Sequence, residues 1–226
     1  MNQYNKQWAK EIKKNDVMYP SEYVIRIFKG TYPRLRLGKN RFKGKKICDI
    51  GCGNGRNLML LRRCGFKVWG VEINKKIAEG VKRNLKSAGI HAHVRVGSNG
   101  SLPFLNSYFD YALSWNACYY MGDCADFNDY VKEFARVIKS GGYLIMSIPK
   151  KSSFIYKGSE TLKAGYKIIR KDPFGVRNGH VLRMFAGEKE IKKTFAPYFK
   201  RFVFGSVQDD CFGLNYHWHL VVCQRR

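Results

Sequence analysis

Three glycines at alternate positions, Gly51, Gly53 and Gly55, follow the acidic residue Asp49 in the stretch KICDIGCGNGRN, and a second acid, Glu72, stands 19 residues beyond the middle glycine. Glycine admits positive φ and lets a ligand reach the main chain with no Cβ in the way. A run this bare at the end of an apolar stretch therefore reads as a backbone cradle. A carboxylate placed like Glu72 accepts hydrogen bonds from both hydroxyls of a ribose in the nucleotide-binding units of open α/β sheets. The chemistry on offer is recognition of a nucleoside.

Two kinds of nucleoside compete for such a turn. A dinucleotide site requires G-x-G-x-x-G, its third glycine allowing the helix to pack closely, and that position here is Arg56. The spacing is G-x-G-x-G instead. Asp49 in front of it would repel a pyrophosphate and suit a ligand that carries an ammonium group. S-adenosylmethionine, with its adenosine, sulfonium and amino-acid end, meets both conditions. Other clusters carry less. Cys48 and Cys52 begin a CxxxC run, but the place of a third cysteine is Gly55, so no metal is expected. His91 and His93, like His217 and His219, lie two apart on one face of a strand, and packing or surface roles are expected for both pairs rather than ligation.

The elements that must position these groups alternate in type. KICDI (46–50), KVWGVEI (67–73), HAHVRVG (91–97), FDYALSW (109–115) and YLIMSIP (143–149) are short runs of β-branched and aromatic residues, each a predicted strand. Between them 75–88 reads as helix, and so does 123–140, where Phe127, Tyr130, Val131, Phe134, Val137 and Ile138 repeat on one face and the SGG at 140–142 is expected to end it. Strands alternating with helices imply a doubly wound α/β fold with a mostly parallel sheet. After Pro149 the period is lost, and 150–184 reads as a substrate-side insertion. A helix is predicted over 187–199, and the runs 201–207 and 215–224 are expected to pair antiparallel around QDDCFG. Residues 1–45 form a preamble with an amphipathic helix at 21–28.

At 226 residues and 45% hydrophobic content the chain suffices for one domain with a sizeable core. The opening stretch is charged throughout, no run of 18 apolar residues occurs, and the seven cysteines form no CxxC pair. A soluble protein of the reducing cytoplasm, without membrane contact, is expected. The formal net charge is +25, and the excess is uneven: 13 basic against 3 acidic residues in 1–46, and 9 against 2 in 150–183. A one-signed field concentrates the opposite charge, so both segments are read as bordering a site for an anionic partner.

With these blocks in order, residues 46–149 resemble the class I S-adenosylmethionine-dependent methyltransferases: CDIGCGNGRN, then VWGVEIN, then VGSNGSLPFLNSYFDYALSWNACYYM, then RVIKSGGYLIMSIP. The resemblance implies a Rossmann-like seven-stranded sheet with an antiparallel last strand, S-adenosylmethionine as cofactor and S-adenosylhomocysteine as product. It places Asp49 and the loop Gly51, Cys52, Gly53, Asn54 and Gly55 at the methionine end, Glu72 on the ribose and Ile73 beside the adenine. Where many relatives carry Asp after the third strand this chain has Ser98, followed by Asn99 and Gly100, so Ser98 or Asn99 is expected to accept from the adenine amino group, or a backbone N–H to read the ring instead. Trp115 borders the same site. The acceptor side is assigned to Asn116, Tyr119 and His180, with His180 the proton acceptor because its ordinary pKa lies near neutrality. Tyr4, Trp8, Tyr19, Arg177 and Arg183 are expected to line the substrate. WNACYY departs from the [DNS]PPY run of base-amine methyltransferases, and no cysteine follows a proline. The expected acceptor is a small anionic metabolite, phosphorylated, nucleotide-linked or carboxylated, methylated on O or N; an RNA or protein acceptor using the basic surface is the alternative.

Overall fold

The computed structural model describes residues 19–38, 42–122 and 126–226. Its helices are α1 (Glu22–Lys29), α2 (Arg56–Arg63), α3 (Lys75–Ser87), α4 (Phe127–Val137) and α5 (Glu188–Phe195). The strands are β1 (Lys46–Ile50), β2 (Lys67–Glu72), β3 (His93–Val96), β4 (Phe109–Ser114), β5 (Tyr120–Met121), β6 (Ile138–Pro149), β7 (Ser159–Lys163), β8 (Tyr166–Ile169), β9 (Val181–Arg183), β10 (Phe199–Cys211) and β11 (Leu214–Arg225).

Seven strands form one sheet in the order β10-β11-β6-β4-β1-β2-β3. β4, β1, β2 and β3 run parallel with β6, while β11 is antiparallel to both of its neighbours. Buried strands with both faces covered read as continuous apolar runs, and β1 shows why. Ile47 packs with α1, α2 and α3 on one side, and Cys48 and Ile50 pack with α4 and α5 on the other. Asp49 interrupts this run on the α1–α3 face. The helices start where capping chemistry allows. Asn74 caps α3 by accepting from the Lys76 N–H at 2.8 Å, and Asp126 caps α4 by accepting from the Asn128 N–H at 3.0 Å.

Three predicted boundaries change. The helix predicted over 123–140 ends at Val137, because Ile138 is already extended and opposite Phe109. The SGG run lies inside β6 rather than after a helix. Gly141 takes φ +77°, and a Cβ on Gly142 would lie 2.7 Å from the Asp110 carbonyl, so the glycines form an irregularity that shifts the β4–β6 register. The helix predicted over 187–199 stops at Phe195, and Phe199 begins β10. The terminal hairpin is longer than predicted: strands run through Gln208, Asp209, Asp210 and Cys211, and the turn is tightened to Phe212 and Gly213, both at positive φ.

The aperiodic insertion is itself a sheet. β7, β8 and β9 join β5 in an antiparallel sheet of order β5-β9-β8-β7. Its period was hidden because the strands are three to five residues long and turn at Gly165, which takes φ +75°. Since β5 lies just past the end of β4, the insertion is hydrogen-bonded to the loop that leaves the carboxyl edge of the main sheet. In open α/β sheets that edge is where ligands bind.

Candidate active site

The glycine turn is folded by its own amides. The N–H groups of Gly51 and Cys52 both donate to the Val71 carbonyl, at 2.9 and 3.1 Å, and Gly55 donates to the Cys52 carbonyl at 2.9 Å. Gly53 donates to Glu72 Oε1 at 2.6 Å, tying the cradle to the end of β2. All three glycines have positive φ, but they are bare for different reasons. A Cβ on Gly51 would lie 2.5 Å from Cβ of Ala117, and one on Gly55 would lie 2.9 Å from Val81 in α3. A Cβ on Gly53 would meet nothing within 4 Å. Gly51 and Gly55 thus let the loop approach its neighbours, whereas Gly53 faces open space on which a ligand can lie. Asn54 accepts from the Arg56 N–H at 3.2 Å and turns the chain into α2.

Asp49 is 1% exposed, and neither carboxylate oxygen has a hydrogen-bond partner among the described residues. A buried unpaired carboxylate is strongly disfavoured in its charged form. Burial, with a smaller push from the negative charge of Glu72, raises its pKa to about 8, against a weak opposing pull from Arg56. Glu72 is also buried and is raised to about 7, burial outweighing the N–H groups of Gly53 and Ile73 that its carboxylate accepts. Two carboxyls short of positive charge, beside an open backbone cradle, fit a ligand that brings an ammonium and a sulfonium to one end and a ribose to the other. These residues therefore fit S-adenosylmethionine. Glu72→Ala is expected to weaken cofactor binding by roughly 1–3 kcal/mol, the range for leaving polar partners unmatched. Titration calorimetry checks this, and unchanged affinity would place the ribose elsewhere.

The next residues lie around that cradle. Ile73, at the end of β2, is 48% exposed, an apolar surface open to a ring. Ser98 and Ser101 exchange backbone hydrogen bonds at 3.0 and 3.1 Å, closing a tight turn with Asn99 and Gly100 at its tip. Nδ2 of Asn99 donates to the Ala117 carbonyl at 3.0 Å, so the loop after β3 is joined to the loop after β4. Trp115 is buried in the core on the α1–α3 face. Asn116 is exposed with φ +57°, a left-handed conformation that asparagine tolerates. Ser147 holds it from two directions: its oxygen accepts the Asn116 N–H and its hydroxyl donates to Oδ1, both at 2.8 Å.

On the insertion side, Tyr119 is fully buried and stacks on Tyr120 with centroids 5.0 Å apart. Burial keeps the Tyr119 hydroxyl protonated far above its ordinary range. Tyr120 accepts from Nε of Arg177 at 3.0 Å, and Nη1 of Arg177 donates to Asp172 at 2.8 Å. His180 packs edge-on against Tyr120 at 5.5 Å. Its pKa is lowered from 6.5, first by burial and then by the Arg177 charge, so the ring is neutral at pH 7.

Two further candidates have other surroundings. Arg183 is buried between Phe185 and Tyr166, donating to the carbonyls of Gly165 and Met184 and to Glu190. Its cation holds the small sheet against α5, which corrects its expected place on the substrate. Tyr19 is 77% exposed. Tyr4 and Trp8 lie outside the described residues. Sequence reasoning missed Asp172 and Ser147. Asp172 had a signal: it opens DPFG, and its Oδ2 accepts the N–H groups of Val176 and Arg177, an aspartate-led turn that aims the arginine. Ser147 had none, being an ordinary small residue within an apolar strand.

Known proteins are similar to this chain in sequence and in fold. Residues 47–142 match the family model of a methyltransferase domain. An uncharacterised protein of Methanocaldococcus jannaschii is 26% identical over 187 residues, covering 83% of this chain and 67% of its own length. The ubiquinone biosynthesis O-methyltransferase of Dinoroseobacter shibae is 24% identical over 148 residues, covering 57% of this chain; the chain spans 60% of that enzyme's length. The crystal structure of a SAM-dependent methyltransferase from Methanosarcina mazei superposes with a TM-score of 0.67 at 21% identity, over 86% of this chain and 98% of its own, which shows the shared fold.

Proposed function

We propose that this chain is a class I S-adenosylmethionine-dependent methyltransferase whose acceptor is a small anionic metabolite, phosphorylated, nucleotide-linked or carboxylated, methylated on oxygen or nitrogen. The observation that carries this reading is the Asp172–Arg177–Tyr120 chain beside the carboxyl edge of β4. It sets a guanidinium, aligned from behind by a buried carboxylate, next to His180 and the Tyr120 hydroxyl. Arginine held in this way suits planar oxyanions. The insertion above it is a short sheet tied down by β5, a cover of the size that suits a small ligand better than a duplex.

When bound, the cofactor supplies a methyl group on a sulfonium. Asp49 and the cradle at Gly53 would hold its methionine end, and Glu72 its ribose. Methyl transfer is an in-line displacement, so holding nucleophile and methyl in line contributes much of the rate. Arg177 orients the acceptor's negative charge, and Asn116, fixed by Ser147, presents its amide at the mouth. Where the acceptor must lose a proton, neutral His180 takes it. Tyr119, buried behind Tyr120, fixes the face on which the acceptor rests.

His180→Phe is expected to lower kcat by about 10²-fold with an acceptor that loses a proton, and to leave cofactor affinity unchanged. The acidic limb of the wild-type pH–rate profile should vanish with it. The decisive test of the acceptor class is a panel of acidic metabolites assayed with methyl-labelled cofactor: turnover of one of them supports the proposal, and indifference to all of them alongside methylation of RNA rejects it. The second reading, an RNA or protein acceptor, is favoured by one observation, the net charge of +25. It requires polyanion binding that weakens steeply with salt.

A further inference from the structure

A second concave site lies at the carboxyl edge of β6, away from the glycine turn. It is an open cavity of about 540 Å³ lined by Lys150, Lys151, Ser152, Ala186, Gly187 and His219. That volume is in the range of small-ligand sites. Three features of its wall bear on an anion. Lys150 and Lys151 place two ammonium groups there. The eight-residue helix α5 is preceded by Gly187, which carries no side-chain cap, so the amino end of its dipole faces the cavity wall; its first turn carries Glu188 and Glu190, and Glu190 already accepts the Ala186 N–H at 2.6 Å. His219, on β11 opposite Ile148, is 6% exposed, and its Nδ1 is buried with no hydrogen-bond partner.

The histidine is the independent observation. A buried ring nitrogen normally finds a donor or acceptor. His217, two residues away on the same strand, has one: its Nδ1 lies 2.6 Å from Ser152 Oγ. The group nearest Nδ1 of His219 is the Glu188 carboxylate, 4.0 Å away and beyond hydrogen-bond reach. Glu188 is half-exposed at the mouth, where a bound anion would displace it. Lys150 donates to Ser206 Oγ at 2.7 Å, which anchors its side chain and leaves two ammonium protons for a ligand.

We propose that this cavity binds an oxyanion, a phosphate or phosphoryl group, through Lys150, Lys151, the amino end of α5 and Nδ1 of His219. The site goes beyond the acceptor reading, since its occupancy requires no methyl transfer and none of its residues belongs to the cofactor cradle or to the Arg177 group. With Nδ1 protonated, the neutral imidazole donates to the anion, and the two ammonium groups neutralise it. Glu188 competes for the same donors and sets the affinity.

The test is titration of the full chain with inorganic phosphate and, separately, with an organic phosphate monoester, following the ring ¹⁵N signals of His219 by NMR. Saturable shifts of those signals are expected with at least one of the two. Tighter binding of the monoester assigns the site to a phosphorylated metabolite, and equal binding assigns it to free phosphate. Lys151→Ala, at an exposed position, should weaken binding about tenfold, the scale of a hydrogen bond to a charged group, and Glu188→Gln should strengthen it severalfold. Both variants should keep wild-type cofactor affinity by calorimetry, which separates failure here from failure of the methyltransferase site. An unmoved His219 signal with both ligands, or identical titrations in wild type and variants, overturns the proposal.

Discussion

Asp49→Asn is expected to stabilise the cofactor-free chain while removing most of its affinity for S-adenosylmethionine. The two effects share one cause. Asp49 is buried with both oxygens unpartnered, so the folded chain carries an acid that it can keep only as the neutral form. The folded-state pKa values of Asp49 and Glu72, about 8 and about 7, lie above the ordinary carboxyl values of 3.8 and 4.5. Between roughly pH 4 and pH 8 the folded chain therefore holds protons that the unfolded chain has released, and stability falls as pH rises through that window. An asparagine does not titrate. The variant should unfold at a higher temperature at pH 8, by roughly 1–3 kcal/mol of stability, and its stability should depend less on pH. Binding moves the other way. Removing one partner of a buried ion pair costs about 3–5 kcal/mol, so affinity for the cofactor should fall by two orders of magnitude or more. Thermal unfolding across pH together with calorimetry reads both effects. A variant that is less stable than wild type and binds normally would show that the carboxylate serves the fold instead.

The second large effect is at Gly51. Gly51→Ala should destabilise the chain by roughly 2–5 kcal/mol and abolish cofactor binding at the same time. A left-handed backbone costs an alanine about 1–2 kcal/mol, and its Cβ would lie 2.5 Å from that of Ala117, an overpacking that costs about 1–3 kcal/mol more. Relief requires the turn to move away from the β4 loop, which breaks the pair of N–H bonds to Val71 that shape the cradle. Gly53→Ala is the informative control. It carries the same backbone strain with no clash, so it should lose less stability but still lose affinity, because its Cβ occupies the space left for the ligand. Denaturant unfolding and binding measured on both variants distinguish the roles. Equal stability losses at the two positions would refute the assignment of Gly51 to packing.

The glycine turn and its two buried carboxyls were legible because local sequence carries them. A turn that needs bare backbone can use little but glycine, and an acid inside an apolar strand such as Asp49 has few reasons to be there. The acceptor half was not, because it depends on contacts far apart in the chain. Arg177 and Arg183 look alike in sequence. Asp172 aligns the first toward Tyr120, whereas Glu190 and two carbonyls draw the second into the junction with α5. The main sheet followed from strand and helix periods, while the insertion sheet did not, since its strands are too short to show a period and depend on pairing with β5. The SGG run misled for a related reason: glycine marks both helix ends and strand irregularities, and only the β4 pairing decides between them.

The most direct test of the central claim is calorimetric titration of the wild-type chain with S-adenosylmethionine and with NAD at pH 7, each in two buffers of different ionisation enthalpy. If the turn holds a sulfonium nucleoside over two carboxyls that are short of positive charge, S-adenosylmethionine binds with net release of between one and two protons as Asp49 and Glu72 ionise, and NAD does not bind. Binding of NAD alone, or binding of S-adenosylmethionine with no proton released, would contradict the account.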